Sequence, residues 1–244
     1  MRGFSEKFTV KIPKGKFFYP CCGRDTYWPI KLFGELVDEM HFSDVNGVIL
    51  PYVENGISLD GKNEISKYEV EKRKKIGVMF NREIVYAEKI VHGTYNHSVG
   101  DDFNKYFNRN LGDIRYHTNF ITEIWKTSSS HEVKIITHKF DSILTLLKLK
   151  NLSIFFYRSD DKGENGYNQL WFHEELLDIV LDKLVDGALI VADGSASLNG
   201  FPWIHAKKSR YKEKYIYKDI DFMYLGAIND TYKSCQVWQI KKKS

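Results

Sequence analysis

Two adjacent cysteines and a glycine follow the first apolar run of the chain, in the sequence KFFYPCCGRD at residues 16–25. The run predicts a strand, and the glycine predicts a tight turn where backbone can approach a ligand. A thiol at such a turn is a candidate nucleophile when a helix N-terminus or a histidine lowers its pKa. No spacing pairs Cys21 or Cys22 with a particular histidine, so inert buried thiols are the favoured interpretation.

Carboxylates end two further strand-like runs. Asp44 follows EMHFS, and Asp141 follows HEVKIITHKF. If the strands are parallel neighbours, both carboxylates lie at one edge of the sheet, in the crevice where α/β proteins bind ligands. Aspartate is also a preferred N-cap of helices, so a capping role for either residue stays open.

A segment rich in polar residues follows the apolar run LSIFFY. It contains Arg158, Asp160 and Asp161, and a similar edge after ALIVA contains Asp193 and Ser195. Polar loops at the ends of buried strands are where α/β enzymes commonly keep their reactive groups. Asp160 or Asp161 is the predicted general base.

Other chemistries are disfavoured by spacing. The pairs His92/His97 and His131/His138 lack the ligand spacing of a recognised metal site, and the three cysteines form neither a zinc motif nor a disulfide framework. Free thiols and no metal are therefore predicted. No Gly-Lys-Ser/Thr follows either glycine-containing loop, and the fuller glycine fingerprint of dinucleotide oxidoreductases is missing.

These residues need a sheet to position them, and the hydrophobic pattern predicts one. A strand at 16–19, a helix in PIKLFGELVDE and a strand in EMHFSDV open a parallel α/β sheet. The second half alternates again, with a helix in QLWFHEELLDIVLDKLVDG that Gly187 is expected to end. The runs DFMYLGAI and CQVWQIKKK are joined by a segment too short for a crossover helix, so they are predicted to be antiparallel.

The segment at about 46–130 interrupts this alternation and is predicted to be a β-rich insertion in a single domain of residues 1–244. A hairpin is expected near Asn81 and Arg82, and GDIRYHTNFITEIWK has β-like composition. Aromatic residues of this insertion are candidates to wall a pocket or stack on bases: Tyr106, Phe107, Tyr116, Phe120 and Trp125.

Composition excludes some classes of protein. Apolar residues make up 43% of the 244 residues, too many for intrinsic disorder. No apolar run approaches the roughly 20 residues that cross a bilayer, and no signal core opens the chain, so a cytoplasmic protein without membrane contact is expected. The basic residues behind the net charge of +4 are scattered along the sequence. This distribution permits nucleic-acid binding but does not indicate it.

The order of elements resembles that of class I S-adenosylmethionine-dependent methyltransferases. In that family a seven-stranded sheet has a first strand that runs into a glycine-rich loop and a last pair of strands that form an antiparallel hairpin. The resemblance implies an α/β, Rossmann-like three-layer sandwich with a mostly parallel seven-stranded sheet, an antiparallel last strand and the inserted segment. It covers nearly the whole chain, while its local motifs are weak.

The family's first loop reads approximately acidic, any, Gly, any, Gly, any, Gly. On YPCCGRD the acidic position becomes Tyr19, the three glycine positions become Cys21, Gly23 and Asp25, and one glycine of the three is kept. Pro20 and Cys22 fill the intervening positions. A Cβ at Cys21 would narrow the methionine pocket, and a carboxylate at Asp25 would repel the methionine carboxylate.

The resemblance assigns further roles. Asp44 stands where the family keeps an acidic residue for the ribose hydroxyls, and Asp141 where a polar residue meets the adenine amino group. The sequence FFYRSDDKGENG is similar to the polar RGDSxGEGG loop of methyltransferase-like proteins, which adds Arg158 to the expected cofactor site. The cofactor implied is S-adenosylmethionine.

Two functions follow. The first is methyl transfer from S-adenosylmethionine to an unknown small-molecule or macromolecular acceptor, where catalysis rests largely on proximity and alignment. The alternative is a non-catalytic ligand-binding or interaction protein on a degenerate methyltransferase fold, which the two missing glycines favour.

Overall fold

The computed structural model describes residues 4, 8–23, 25–45, 47, 48, 50, 52–54, 57–59, 77–80, 83–98, 115–126, 131–158, 171, 172, 174–193, 214–229 and 234–243. The strands are β1 (Lys16–Pro20), β2 (Glu39–Ser43), β3 (Tyr52–Glu54), β4 (Ile57–Leu59), β5 (Gly77–Phe80), β6 (Glu83–Ser98), β7 (Arg115–Lys126), β8 (Glu132–Lys139), β9 (Leu152–Tyr157), β10 (Leu184–Asp193), β11 (Lys214–Tyr217), β12 (Ile220–Asn229) and β13 (Ser234–Lys242). The helices are α1 (Tyr27–Phe33), α2 (Ser142–Lys148) and α3 (Glu174–Lys183).

A parallel group of strands forms the centre of the sheet, in the order β8-β2-β1-β9-β10. In chain order these are the third, second, first, fourth and fifth strands of the group, which is the order of the doubly wound, Rossmann-like sheet. Every residue of β9 is buried, as expected of a strand covered on both faces. The predicted parallel centre is confirmed.

The C-terminal strands are antiparallel, as predicted. β13 lies between β10 and β12 and is antiparallel to both, and β11 adds an outer edge. The sequence pattern did not reveal β11.

The predicted strand number was too low. One sheet of 13 strands forms because β7 pairs with β8 and extends the sheet through β6, β5, β3 and β4, all antiparallel. Antiparallel pairings therefore outnumber the parallel ones of the centre. The predicted hairpin of the insertion is present, since β5 pairs with β6 and Phe80 lies opposite Glu83.

Helices cover both faces of the parallel centre. Alternate side chains of β1 point to opposite faces, so Phe17 packs with α1 residues such as Phe33, and Phe18 packs with α2 and α3 residues such as Leu146 and Leu177. Two separate cores result, one on each face, with the sheet between them.

Gly187 does not end a helix. Helix α3 ends at Lys183 and β10 begins at the next residue, so Gly187 lies inside the strand, with φ of +78°. The pairing of β10 with β9 shifts register between Leu184 and Leu189, which is a bulge that a glycine in the left-handed region accommodates. Within the described ranges no helix is long and apolar enough to cross a membrane.

Candidate functional site

The chain reverses its direction of travel across the sheet between β1 and β9. From β1 it proceeds outward to β2 and β8, and it then returns through α2 to β9 on the other side of β1. Ligands of open α/β sheets bind at such a switch point, outside the carboxyl ends of the strands. The residues that follow β1, β2, β8 and β9 are therefore the candidate site.

The structure brings the described cofactor-site candidates to this one edge. Tyr19 and Pro20 end β1 and are buried, and the 21–25 loop follows them. Asp44 follows β2, Asp141 precedes α2 and Arg158 follows β9. Asp160 and Asp161 lie outside the described residues, so their role as general base stays a prediction.

The loop after β1 keeps a glycine-like backbone although two of its expected glycines are missing. Cys21 has φ of +52° and Gly23 has φ of +49°. A residue with a side chain rarely adopts this left-handed region, at a cost of about 1–2 kcal/mol. Cys21, which was aligned with a glycine position, thus takes the conformation that a glycine would take there.

Three consecutive backbone N–H groups tie this loop to β2, to the residue that follows β2 and to the first residue of α2. Cys21 N donates to Ser142 Oγ at 3.0 Å, and Cys22 N donates to the Ser43 carbonyl at 3.2 Å. Gly23 N donates to Asp44 Oδ2 at 3.0 Å. The loop is therefore anchored across β2 and the start of α2 within the protein itself.

Asp44 is half-buried beside this loop. Its backbone N–H donates to the His138 carbonyl at 3.1 Å, which fixes the residue between β2 and β8. Its Oδ2 accepts a hydrogen bond from Gly23 N. Asp44 therefore lies at the carboxyl end of β2 beside the loop, which is the position expected of a carboxylate that binds ligand hydroxyls.

Asp141 is the N-cap of α2. Its Oδ1 accepts from Ile143 N at 2.9 Å and from Leu144 N at 3.0 Å, which satisfies two N–H groups of the first turn. The capping interpretation is therefore what the geometry supports, while contact of Asp141 with adenine stays a prediction. Ser142, which the sequence did not single out, contacts the loop directly and donates to the Ser43 carbonyl at 3.3 Å.

A buried ion pair joins the two sides of the switch point. Arg158 Nε and Nη2 donate to Asp25 Oδ2 and Oδ1, both at 2.6 Å, and the two side chains are each 9% exposed. The Tyr19 hydroxyl lies 2.9 Å from Asp25 Oδ2 and 2.8 Å from the Arg158 carbonyl. Planar, two-bond pairing of this kind is the strongest charge-assisted contact available to arginine.

This ion pair corrects the expected effect of Asp25. The carboxylate does not project a free negative charge at a ligand, because the Arg158 guanidinium neutralises it. Burial, the largest single effect, acts to lower the pKa of Arg158, but the charge of Asp25, the smaller contributions of Tyr19 and Cys235 and the hydrogen bonds to Asp25 together outweigh burial, so the pKa is raised. Burial raises the pKa of Tyr19 well above its usual value, and Asp25 raises it further, so Tyr19 is a neutral donor.

The thiols do not have the electrostatics of a nucleophile. Desolvation raises the pKa of Cys21, although the residue as a whole is exposed, and burial raises that of Cys22 well above the usual value. The cysteine-nucleophile alternative requires a lowered pKa, and burial shifts the pKa of both thiols in the opposite direction. All three cysteines are free thiols.

Sequence spacing missed a buried polar chain on β2 and β8. His41 Nδ1 lies 2.9 Å from His138 Nε2, and His41 Nε2 lies 2.5 Å from Glu39 Oε1, which also pairs with Lys16 at 2.7 Å. Burial lowers the pKa of His41 and outweighs the opposing effect of Glu39. Among the described residues no group of three or more His, Cys, Asp or Glu side chains is arranged to hold a metal ion.

Asp193 lies at the same carboxyl edge, at the end of β10, and is 3% exposed. It is paired in register with Cys235 of β13. Ser195, the other residue predicted there, lies outside the described ranges.

No protein family and no curated protein matches this chain. Among solved structures, it is similar to the complex of Trm1 from Pyrococcus horikoshii with S-adenosyl-L-methionine, with 14% identity and a TM-score of 0.39 over 93% of this chain and 51% of that one. The chain thus spans about half the length of that protein, 51%. It is also similar to an rRNA methylase from Streptococcus thermophilus, with 8% identity and a TM-score of 0.35 over 99% of this chain and 93% of that one.

Proposed function

We propose that the protein binds S-adenosylmethionine at the carboxyl edge of β1 and β2 and transfers its methyl group to an acceptor. The observation that carries the proposal is the contact of Asp44 Oδ2 with Gly23 N, 3.0 Å, at the ends of two adjacent parallel strands. This contact brings the carboxylate that we propose for the ribose hydroxyls beside Gly23, next to the switch point.

The residues present fit such a nucleoside. Gly23 has no side chain to fill the space over the loop, and an added Cβ would lie 3.8 Å from Asp44 Oδ2, an ordinary contact distance and the nearest among the described residues. Asp44 would hold the ribose, and the 21–23 backbone, whose N–H groups are engaged within the protein, would pack against the methionine portion without donating hydrogen bonds to it. The cofactor supplies an electrophilic methyl group; the chain's own residues would position it and exclude water from it.

The test is equilibrium binding of S-adenosylhomocysteine to the wild-type chain and to Asp44→Ala. Loss of the ribose hydrogen bonds is expected to weaken binding by about 1–3 kcal/mol, as for other bonds to a charged group. Asp38→Ala is the matched control, because Asp38 is an exposed carboxylate just before β2, at the opposite end of that strand. Equal affinities of the wild type and Asp44→Ala would remove Asp44 from the site.

A non-catalytic ligand-binding role is the second candidate, and one observation favours it. The Asp25–Arg158 pair bridges the ends of β1 and β9, where a ligand of this fold would lie. Incubation with S-adenosylmethionine and a cell extract separates the two candidates: release of S-adenosylhomocysteine supports transfer, and saturable binding without release supports the second role.

A further inference from the structure

The buried charge of Arg158 lies at the switch point of the sheet. Arg158 is the first residue after β9, and β9 is the strand next to β1 on the side of the reversal. Its side chain is 9% exposed. An arginine at this depth keeps its positive charge, because its pKa is far above neutrality, and it therefore requires an anionic partner.

That partner belongs to the facing loop. Asp25 lies between β1 and α1 and reaches Arg158 through two bonds of 2.6 Å. The contact is built from two side chains on separate loops, so it can open without breaking any strand pairing. The guanidinium fork binds any carboxylate in the same two-bond geometry.

The buried Tyr19 hydroxyl does not depend on Asp25 for a hydrogen-bond partner. The Tyr19 hydroxyl also lies 2.8 Å from the Arg158 carbonyl, so it keeps a buried partner when Asp25 moves away. Asp25 itself is half-buried as a residue and is only two positions from Gly23, whose φ of +49° lies in the left-handed region. Departure of Asp25 would therefore leave the Tyr19 hydroxyl paired and would open the two-bond face of the Arg158 guanidinium to another carboxylate.

We infer that Arg158 is the anchor for the carboxylate of an amino-acid-bearing nucleoside ligand, and that Asp25 is an internal competitor which occupies this anchor in the ligand-free protein. The inference rests on the proposed function and adds a regulated specificity to the same site. Ligand binding exchanges one carboxylate for another on Arg158, so the ion pair closes the crevice until a ligand with its own carboxylate replaces Asp25.

The experiment compares two ligands that differ in this group. S-adenosylhomocysteine contains an α-carboxylate, whereas 5′-methylthioadenosine has the same nucleoside and thioether without the amino acid. Each is titrated calorimetrically into the full-length wild type, Asp25→Asn and Arg158→Gln, with Asp221→Asn as control. Asp221 pairs with Lys214 on the β11–β12 hairpin, away from the switch point.

The expected result is a carboxylate-specific change in affinity. Asp25→Asn removes the competitor, so the affinity for S-adenosylhomocysteine is expected to rise about tenfold. Arg158→Gln is expected to lower this affinity about tenfold, as expected for the loss of one charge-assisted contact. Neither variant should change the affinity for 5′-methylthioadenosine by more than about twofold. Asp221→Asn should leave the affinities for both ligands unchanged.

Several outcomes would overturn the inference. If both variants change the affinities for the two ligands equally, the Asp25–Arg158 ion pair has a structural role only. If the ligands bind and neither variant changes their affinities, Arg158 is not the anchor, while the proposed function stands. If no protein binds either ligand, the proposed function itself fails. Should Asp25→Asn not fold, Tyr19→Phe removes one hydrogen bond to Asp25 and is expected to tighten S-adenosylhomocysteine about threefold and 5′-methylthioadenosine not at all.

Discussion

Replacing Asp25 by asparagine is expected to destabilise the protein strongly. The substitution keeps the shape of the side chain and removes its charge, so the Arg158 guanidinium stays charged and buried and loses the carboxylate that Asp25 provides. Both side chains are 9% exposed, so water cannot substitute for the lost partner. Removal of one member of a buried ion pair leaves an uncompensated charge, which is the costly case for such pairs.

The magnitude follows from the contacts. The Asp25 carboxylate accepts two bonds of 2.6 Å from Arg158 and one of 2.9 Å from Tyr19. The single amide oxygen of asparagine can keep part of this set, so about two charge-assisted bonds are lost. At about 1.5–3 kcal/mol each, the free energy of unfolding should fall by roughly 3–5 kcal/mol.

The assay is equilibrium unfolding in urea, followed by far-ultraviolet circular dichroism. The double variant Asp25→Asn/Arg158→Met is the informative companion, because it removes the charge as well as its partner and should recover most of the lost stability. A loss below about 1 kcal/mol for Asp25→Asn, the range of exposed ion pairs, would refute the buried pair. So would a double variant that is less stable than the single one.

Three further predictions concern the same edge and the β2–β8 polar chain. Cys21→Gly should raise the free energy of unfolding by about 1 kcal/mol, because it relieves a side chain in the left-handed region; a decrease would contradict the assigned backbone. Alkylation at pH 7 should modify exposed Cys21 before buried Cys22, both slowly because burial raises both pKa values, and the rate should rise with pH; mass spectrometry of the peptides checks the order. The hydrogen bond from His41 holds the pKa of Glu39 at about 2, below its ordinary 4.5, so its stabilising contribution is present above pH 4.5 and is lost as the pH falls toward 2. The urea midpoint of Glu39→Gln should therefore depend less on pH than that of the wild type in this window, and equal slopes would contradict the pairing.

Local pattern was sufficient for the centre of the fold. The strand around Phe17 and Phe18, the apolar run of β9 and the periodic run of α3 each carry their signal within a few residues, so their type was predictable. The antiparallel direction of β12 and β13 followed from the shortness of their connection. Strand number was not predictable, since the extension of the sheet depends on the pairing of β7 with β8, which no local signal encodes.

The site was predictable in position and not in its contacts. The ends of the strands located Asp44, Asp25 and Arg158 at one edge, because parallel strands share an edge. From the sequence alone Asp25 was interpreted as an isolated charge, because its partner Arg158 is 133 residues away. His41 and His138 are 97 residues apart and were missed for the same reason. Contacts between distant segments are fixed by strand register, which only the structure supplies.

The proposed nucleoside site is tested by calorimetric titration of the wild-type chain with S-adenosylmethionine and, separately, with S-adenosylhomocysteine. We expect saturable binding of both ligands, with one site per chain and an affinity that Asp44→Ala weakens. The absence of binding heat for either ligand at millimolar concentration would contradict a nucleoside site at the carboxyl edge of β1 and β2.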